Sequence, residues 1–192
     1  MSIKYYMYTI NKNQNQSIMR DKTGTIGLNN LIKELGDVSD KTMIEIGSFI
    51  GESTAIFAEH FKHVIAIDSF VANYDPNDPT SNFNFDDVFE EFQNRIEKNK
   101  DKITVYKMYS CDAVVSLKDD TYDFVYIDGL HTYDGVKDDI INYLPLVKKG
   151  GVIGGHDYGT KHPHLLGVTQ AVDEMLGKPD KVFEDNSWIK KV

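Results

Sequence analysis

Five short apolar runs punctuate the sequence, and four of them stop on a glycine or an acid. They are residues 43–47 (MIEIG), 63–68 (HVIAID), 103–106 (ITVY), 124–128 (FVYID) and 151–155 (GVIGG). Runs of this length, rich in β-branched residues, read as strands buried on both faces. Between them lie stretches with helical spacing of apolar residues, at 25–35, 53–61, 85–98, 113–117, 136–147 and 166–176. Strands that alternate with helices demand a parallel sheet covered on both sides. Residues 181–184 and 187–192 predict a closing hairpin. No repeat or low-complexity linker intervenes, so one domain is expected over 23–192, behind a loose arm at 1–22.

Charge narrows the partners. Lys and Arg total 21 against 30 Asp and Glu, a net charge of −9 over 192 residues. A phosphate backbone would be repelled unless a basic patch were present. The pairs Lys148-Lys149 and Lys190-Lys191 are short and far apart. Neither nucleic acid nor an anionic membrane surface is expected as a partner. No base-flipping motif of the Asn-Pro-Pro-Tyr type occurs, which also counts against an enzyme that modifies nucleic-acid bases. The single Cys111 excludes an internal disulfide and fits a reducing compartment. The first ten residues carry neither a signal-peptide pattern nor a membrane span. The expectation is a soluble cytoplasmic enzyme or binding domain.

Parallel sheets bind ligands at the carboxyl ends of their strands, near the point where strand order reverses. The first exit reads Gly47-Ser48-Phe49-Ile50-Gly51-Glu52-Ser53. Its two glycines permit a sharp turn and close backbone approach, whereas the third glycine of a dinucleotide fingerprint is missing. A nucleoside ligand without phosphates needs less glycine; a simple tight turn is the other reading. Asp68 ends the second strand about 20 residues further on, the separation at which a carboxylate accepts from a ribose diol. Ser110-Cys111-Asp112, after the third strand, offers donors and acceptors to an adenine edge. Cys111 reads there as a small apolar contact rather than a nucleophile.

Taken together, EIGSFIGEST, VIAIDSF, FVYIDGLHTYDGVKDDI, LVKKGGVIGGHDY and GVTQAVDEM resemble class I S-adenosylmethionine-dependent methyltransferases. The resemblance is strongest to the branch that includes macrocin-type sugar O-methyltransferases and cephalosporin-hydroxylase-like proteins, and it spans about residues 24–192. It implies an α/β fold: a Rossmann-like, doubly wound, seven-stranded sheet, mostly parallel, with an antiparallel C-terminal strand. It implies that Glu45, Gly47, Ser48 and Gly51, with Ser53, border the methionine part of the cofactor. Asp68 with Ser69 would hold the ribose, Ser110, Cys111 and Asp112 would edge the adenine, and Asp128 would complete the cofactor's surroundings. Acidic strand ends suit the cofactor's sulfonium and ammonium.

The same resemblance points to a reaction centre. Asp128 and Asp157 match acidic metal-ligand positions for a divalent cation such as Mg²⁺ or Mn²⁺. His156 is a third ligand position that departs from the acid often found there, and imidazole suits a softer ion than Mg²⁺. The alternatives are two protein ligands or no metal. His131 follows Asp128 by three residues, and its pKa range suits a general base. The other reading makes it a cofactor contact or a helix cap. His162 and His164 read as solvated loop residues. Residues 71–87 form a long Asn-, Asp- and Pro-rich connection, read as a lid bearing Tyr74, Phe83 and Phe85 or as an ordinary flexible loop. The implied activity is O-methylation of a small hydroxylated acceptor such as a sugar, by a chain that can form homo-oligomers. A catalytically silent cofactor-binding subunit and an NAD-dependent oxidoreductase are the competing readings.

Overall fold

A computed structural model describes residues 22–192. The expected arm lies outside the described residues, except that Lys22 already belongs to the first helix. The elements run α1 (Lys22–Glu34), β1 (Thr42–Ile46), α2 (Glu52–His60), β2 (His63–Asp68), α3 (Phe85–Ile96), β3 (Ile103–Lys107) and α4 (Ser110–Ala113). They continue with β4 (Tyr122–Ile127), α5 (Tyr133–Tyr143), β5 (Val147–Gly155), α6 (Leu166–Leu176), β6 (Lys181–Val182) and β7 (Trp188–Lys191). The seven strands form one sheet in the order β3-β2-β1-β4-β5-β7-β6. β1 to β5 pair in parallel, and β7 runs antiparallel to both β5 and β6. The doubly wound, mostly parallel fold expected from the sequence is the fold observed.

Strand periodicity divides the core. Ile44, Ile46, Val125 and Ile127 point to the face covered by α4, α5 and α6. Met43, Val64, Phe124 and Tyr126 point to the opposite face, where Leu28 and Leu31 of α1 and Phe57 and Ala58 of α2 pack on them. A third cluster joins α3, through Val88, Phe92 and Ile96, to Ile50, Ala66 and Phe70. Burying these side chains is the main favourable contribution to stability, at ~25 cal/mol per Å² of apolar area removed from water.

The strand order reverses around β1, which lies between β2 and β4. The exits of the central strands are locked side by side beyond the strands themselves. Gly47 N donates to Ile67 O at 2.8 Å, Asp128 N to Ile46 O at 2.8 Å, and His156 N to Ile127 O at 3.1 Å. That ladder sets the first polar residue after each strand along one edge. Among the described residues no helix is long and apolar enough to cross a membrane.

Candidate active site

The first turn is shaped by glycines that no other residue can replace cheaply. Gly47 has φ +85, and a Cβ there would overlap the Asp128 carbonyl. The turn after β1 therefore lies directly against the exit of β4. Gly51 has φ +78, and a Cβ on it would sit 2.8 Å from the Phe92 ring. Glu45 and Thr54 are wholly buried beneath this turn, with Ser48 and Ser53 nearly so. Glu45 Oε2 accepts from the Ser48 and Thr54 hydroxyls, while its Oε1 is buried with no hydrogen-bond partner among the described residues. Burial pushes the Glu45 carboxyl up to about 7, against the opposing pull of the neighbouring hydroxyls. An orphaned buried carboxylate oxygen under a glycine turn fits a cationic amine of a ligand.

Asp68 stands at the exit of β2. Its Oδ2 accepts from Phe49 N at 2.8 Å and its Oδ1 from Phe70 N at 2.7 Å. The carboxylate thus ties the first turn to the second strand. Burial raises its pKa, opposed by these amide donors. Phe49 (φ 44) and Phe70 (φ 51) both adopt left-handed backbone, which bulky residues rarely do. Such strain gathers at functional sites. Ser69 lies between Asp68 and Phe70 and is half-buried.

At the third exit, Ser110 opens the short helix α4, with Cys111 and Asp112 exposed beside it. Two residues of α5, absent from the sequence reading, hold Ser110 in place. Asp139 Oδ1 accepts from Ser110 Oγ at 2.6 Å, and Tyr143 OH donates to Ser110 O at 2.7 Å. Burial pushes the Asp139 carboxyl up to about 6, with the Ser110 hydrogen bond pulling the other way. Their sequence signal was weak: an acid and a phenol on the apolar stripe of α5 look like ordinary amphipathic spacing.

At the exits of β4 and β5, Asp128, His131 and Asp157 come together, their ligand-type atoms all within 4.8 Å of one another. His131 Nε2 is 3.4 Å from Asp128 Oδ1 and 3.3 Å from Asp157 Oδ2. Thr132, not His131, caps α5, by accepting from Gly135 N at 3.1 Å. Asp157 has φ 63, so its carboxylate is aimed by a left-handed backbone. His156 lies alongside, with Nδ1 3.2 Å from Asp157 Oδ1 and 3.7 Å from Asp128 Oδ1. Its Nε2 turns away toward Asp185 Oδ2, 4.0 Å distant on the turn between β6 and β7. The three atoms that converge therefore belong to Asp128, His131 and Asp157, with His156 flanking them. Burial pulls the His131 imidazole pKa down, but Asp128, Asp157 and Asp78 outweigh it and carry the ring up to about 9. The Asp128 and Asp157 carboxylates, with an imidazole on either side of them, fit a divalent cation.

The connection at residues 71–84 is tied together by its own hydrogen bonds. It folds on itself through Asp75 and Asp78, a short helical turn (Pro79–Asn82), and a nearly inaccessible Ser81. Phe83 stacks on Phe49 at 6.1 Å, and Tyr74 meets Phe85 edge-on at 5.9 Å. The three aromatic residues expected on a lid thus pack around the first turn. His162 is exposed and His164 half-buried, their rings 5.9 Å apart on the loop before α6.

Comparison with known proteins agrees with this fold. A family model described as "Methyltransferase domain" matches residues 44–158. No curated protein matches the sequence. Among solved structures, the O-methyltransferase NovP superposes with a TM-score of 0.64 at 18% identity, covering 85% of this chain and 78% of NovP. Cofactor-bound Rv0187 from MTB gives 0.61 at 15% identity, with 92% and 80% covered. An O-methyltransferase from Bacillus cereus in complex with SAH gives 0.58 at 18% identity, with 88% and 80% covered. Since the family model covers most of the sheet and every strand exit described above, the chain belongs to the methyltransferase-domain family, as an S-adenosylmethionine-dependent methyltransferase of class I.

Proposed function

We infer that the protein transfers a methyl group from S-adenosylmethionine to a hydroxyl of a small molecule such as a sugar, with help from a divalent cation. One observation carries the reading. Asp128, His131 and Asp157 converge on a point beside the glycine turn, because Gly47 leaves no room between that turn and Asp128. A proton acceptor, a cation site and a nucleoside site then adjoin one another, which suits metal-assisted methyl transfer to a hydroxyl.

Each residue has a role in this reading. Glu45, Gly47, Ser48, Gly51 and Ser53 receive the methionine part, with the buried Glu45 carboxylate facing the ammonium. Asp68 and Ser69 receive the ribose. Ser110, Cys111 and Asp112 receive the adenine. Asp128 borders the cofactor and, with Asp157, holds the cation, and His156 stands beside them as a further ligand. A bound divalent cation supplies Lewis acidity to the acceptor hydroxyl and offsets the carboxylate charge that keeps His131 protonated. His131 Nε2 takes the hydroxyl proton, and the acceptor oxygen attacks the methyl carbon in line with sulfur. The setting is the cytoplasm, consistent with the lone cysteine.

The test is calorimetric titration with S-adenosylhomocysteine and NAD in parallel, followed by methyl-transfer assays on a panel of hexoses, aminosugar glycosides and catechols with and without chelator. The expected result is binding of S-adenosylhomocysteine alone and chelator-sensitive transfer to one acceptor class. Tight NAD binding without a response to S-adenosylhomocysteine overturns the reading.

A further inference from the structure

Asp139 is costly where it stands. It lies on the buried stripe of α5 with Val136, Ile140 and Tyr143, and only 4% of its surface is exposed. No basic side chain pairs with it among the described residues, and burial, more than any neighbour, pushes its carboxyl up to about 6. A carboxylate in such a place lowers stability, whereas an apolar residue there would not. The hydrogen bond it makes is with Ser110, whose hydroxyl donates to Oδ1 at 2.6 Å. The Tyr143 hydroxyl already anchors the Ser110 backbone, 2.7 Å from its carbonyl. Holding the start of α4 in place therefore does not call for a carboxylate on the Ser110 side chain.

What a carboxylate does, and a packing residue cannot, is set the direction of a hydrogen bond. An ionised Asp139 only accepts, and Ser110 has a single hydroxyl hydrogen to give. A charged acceptor at 2.6 Å holds that hydrogen firmly. Lone pairs are all that the half-buried Ser110 Oγ then has left for a ligand, which it meets as an acceptor. An adenine joined to ribose carries N–H at one place, its exocyclic amine; its ring nitrogens are acceptors. The amine is the only part of that base which such a hydroxyl can bind.

We infer that Asp139 is a positioning residue that sets base specificity: by holding the Ser110 hydrogen it makes Ser110 Oγ an acceptor for the exocyclic amine of adenine, and so selects 6-amino over 6-oxo purine cofactors. This rests on the reading that Ser110, Cys111 and Asp112 receive the adenine. A 6-oxo purine would set a carbonyl oxygen against the Ser110 lone pairs with no hydrogen between them. A site built for one hydrogen-bond partner rejects the other because its own polar atom is left unpaired.

The test compares S-adenosylhomocysteine with S-inosylhomocysteine, in which oxygen replaces the amine, by calorimetry at a pH of about 8, where a carboxyl raised to about 6 is ionised. Wild type should bind the adenosyl ligand about 10–100-fold more tightly. Asp139→Asn can turn its amide N–H toward Ser110, which frees the hydroxyl hydrogen for a carbonyl. It should gain roughly tenfold in affinity for the inosyl ligand and keep the adenosyl ligand within about threefold, a gain that lost packing cannot produce. Ser110→Ala should weaken the adenosyl ligand by about tenfold and leave the inosyl ligand unchanged. If Asp139→Asn weakens both ligands equally, or keeps the wild-type ratio, Asp139 is a packing residue and the inference is overturned. If wild type does not discriminate, or Ser110→Ala binds both ligands as wild type does, Ser110 does not face the base amine. The inference then falls with the adenine assignment, while the S-adenosylmethionine reading stands. Failure of wild type to bind S-adenosylhomocysteine at all overturns that reading and the inference together.

Discussion

At the scale of single residues, the roles proposed for Asp68 and His131 separate binding from chemistry. Asp68→Ala removes a charged acceptor from the proposed ribose site and also frees the Phe49 and Phe70 amides that it holds. Affinity for S-adenosylhomocysteine should fall roughly ten- to hundredfold in calorimetry, equivalent to about 1.5–3 kcal/mol. His131→Ala should lose about 10²–10⁴-fold in turnover with little change in cofactor affinity. Collapse of affinity with saturated turnover intact would make His131 a binding residue. Gly47 belongs at this scale too. With φ +85 and no space for a Cβ against the Asp128 carbonyl, Gly47→Ala combines backbone strain with overpacking. A destabilisation of roughly 3 kcal/mol is expected in chemical denaturation.

Among the elements, α5 does more than cover the sheet. Its Asp139 and Tyr143 grip Ser110 from the apolar side, so the proposed adenine edge is held by a helix that contributes no residue to it. Tyr143→Phe removes the donor to the Ser110 carbonyl, a loss of about 1 kcal/mol in stability. Because α4 then sits less firmly, the KM for S-adenosylmethionine should rise while kcat is retained; an unchanged KM would show that α4 holds its place without this contact. The grip also explains where the sequence reading misplaced this helix. Apolar spacing put it at 113–117, whereas α4 spans Ser110–Ala113 and a tighter turn (Val114–Ser116) follows. Local pattern could not reveal anchoring by a residue 29 positions away. β5 likewise starts earlier than its apolar run suggested, at Val147, since pairing of Val147 with Tyr122 carries Lys148 and Lys149 into the strand.

For the whole molecule, the buried acids predict how stability depends on pH. Glu45 is raised from 4.5 to about 7 in the folded state, chiefly by burial. The unfolded chain ionises it more readily, so its penalty is absent below pH 4.5 and grows as pH rises toward 7. The full effect is on the order of 3 kcal/mol. Asp139, raised from 3.8 to about 6, acts with the same sign over a lower window. Thermal unfolding of the ligand-free protein should therefore show stability declining across this range, and Glu45→Gln should flatten the decline by keeping the shape without the charge. A Glu45→Gln profile parallel to wild type would mean that the carboxylate is solvated or paired in solution. S-adenosylhomocysteine should restore more stability to wild type than to the variant, because its ammonium offsets the buried charge.

The sequence by itself determined the alternation of strands and helices, the extents of β2 and α6, and the cluster of glycines and acids at the strand exits. Those features depend on local periodicity and on residues adjacent in the chain, which a single sequence displays directly. It also brought Asp128, His131 and Asp157 into one hypothesis, through the parallel neighbours β4 and β5. Only the tertiary structure decided which atoms converge. It set His131 between the two aspartates, turned His156 partly toward Asp185, and carried Asp78 across from the β2–α3 strap to the far side of the ring. Contacts of that kind join segments separated by many residues, and side-chain direction at a loop depends on backbone angles such as the φ 63 of Asp157. No spacing rule encodes them, because they are settled by how the packed elements hold their connections.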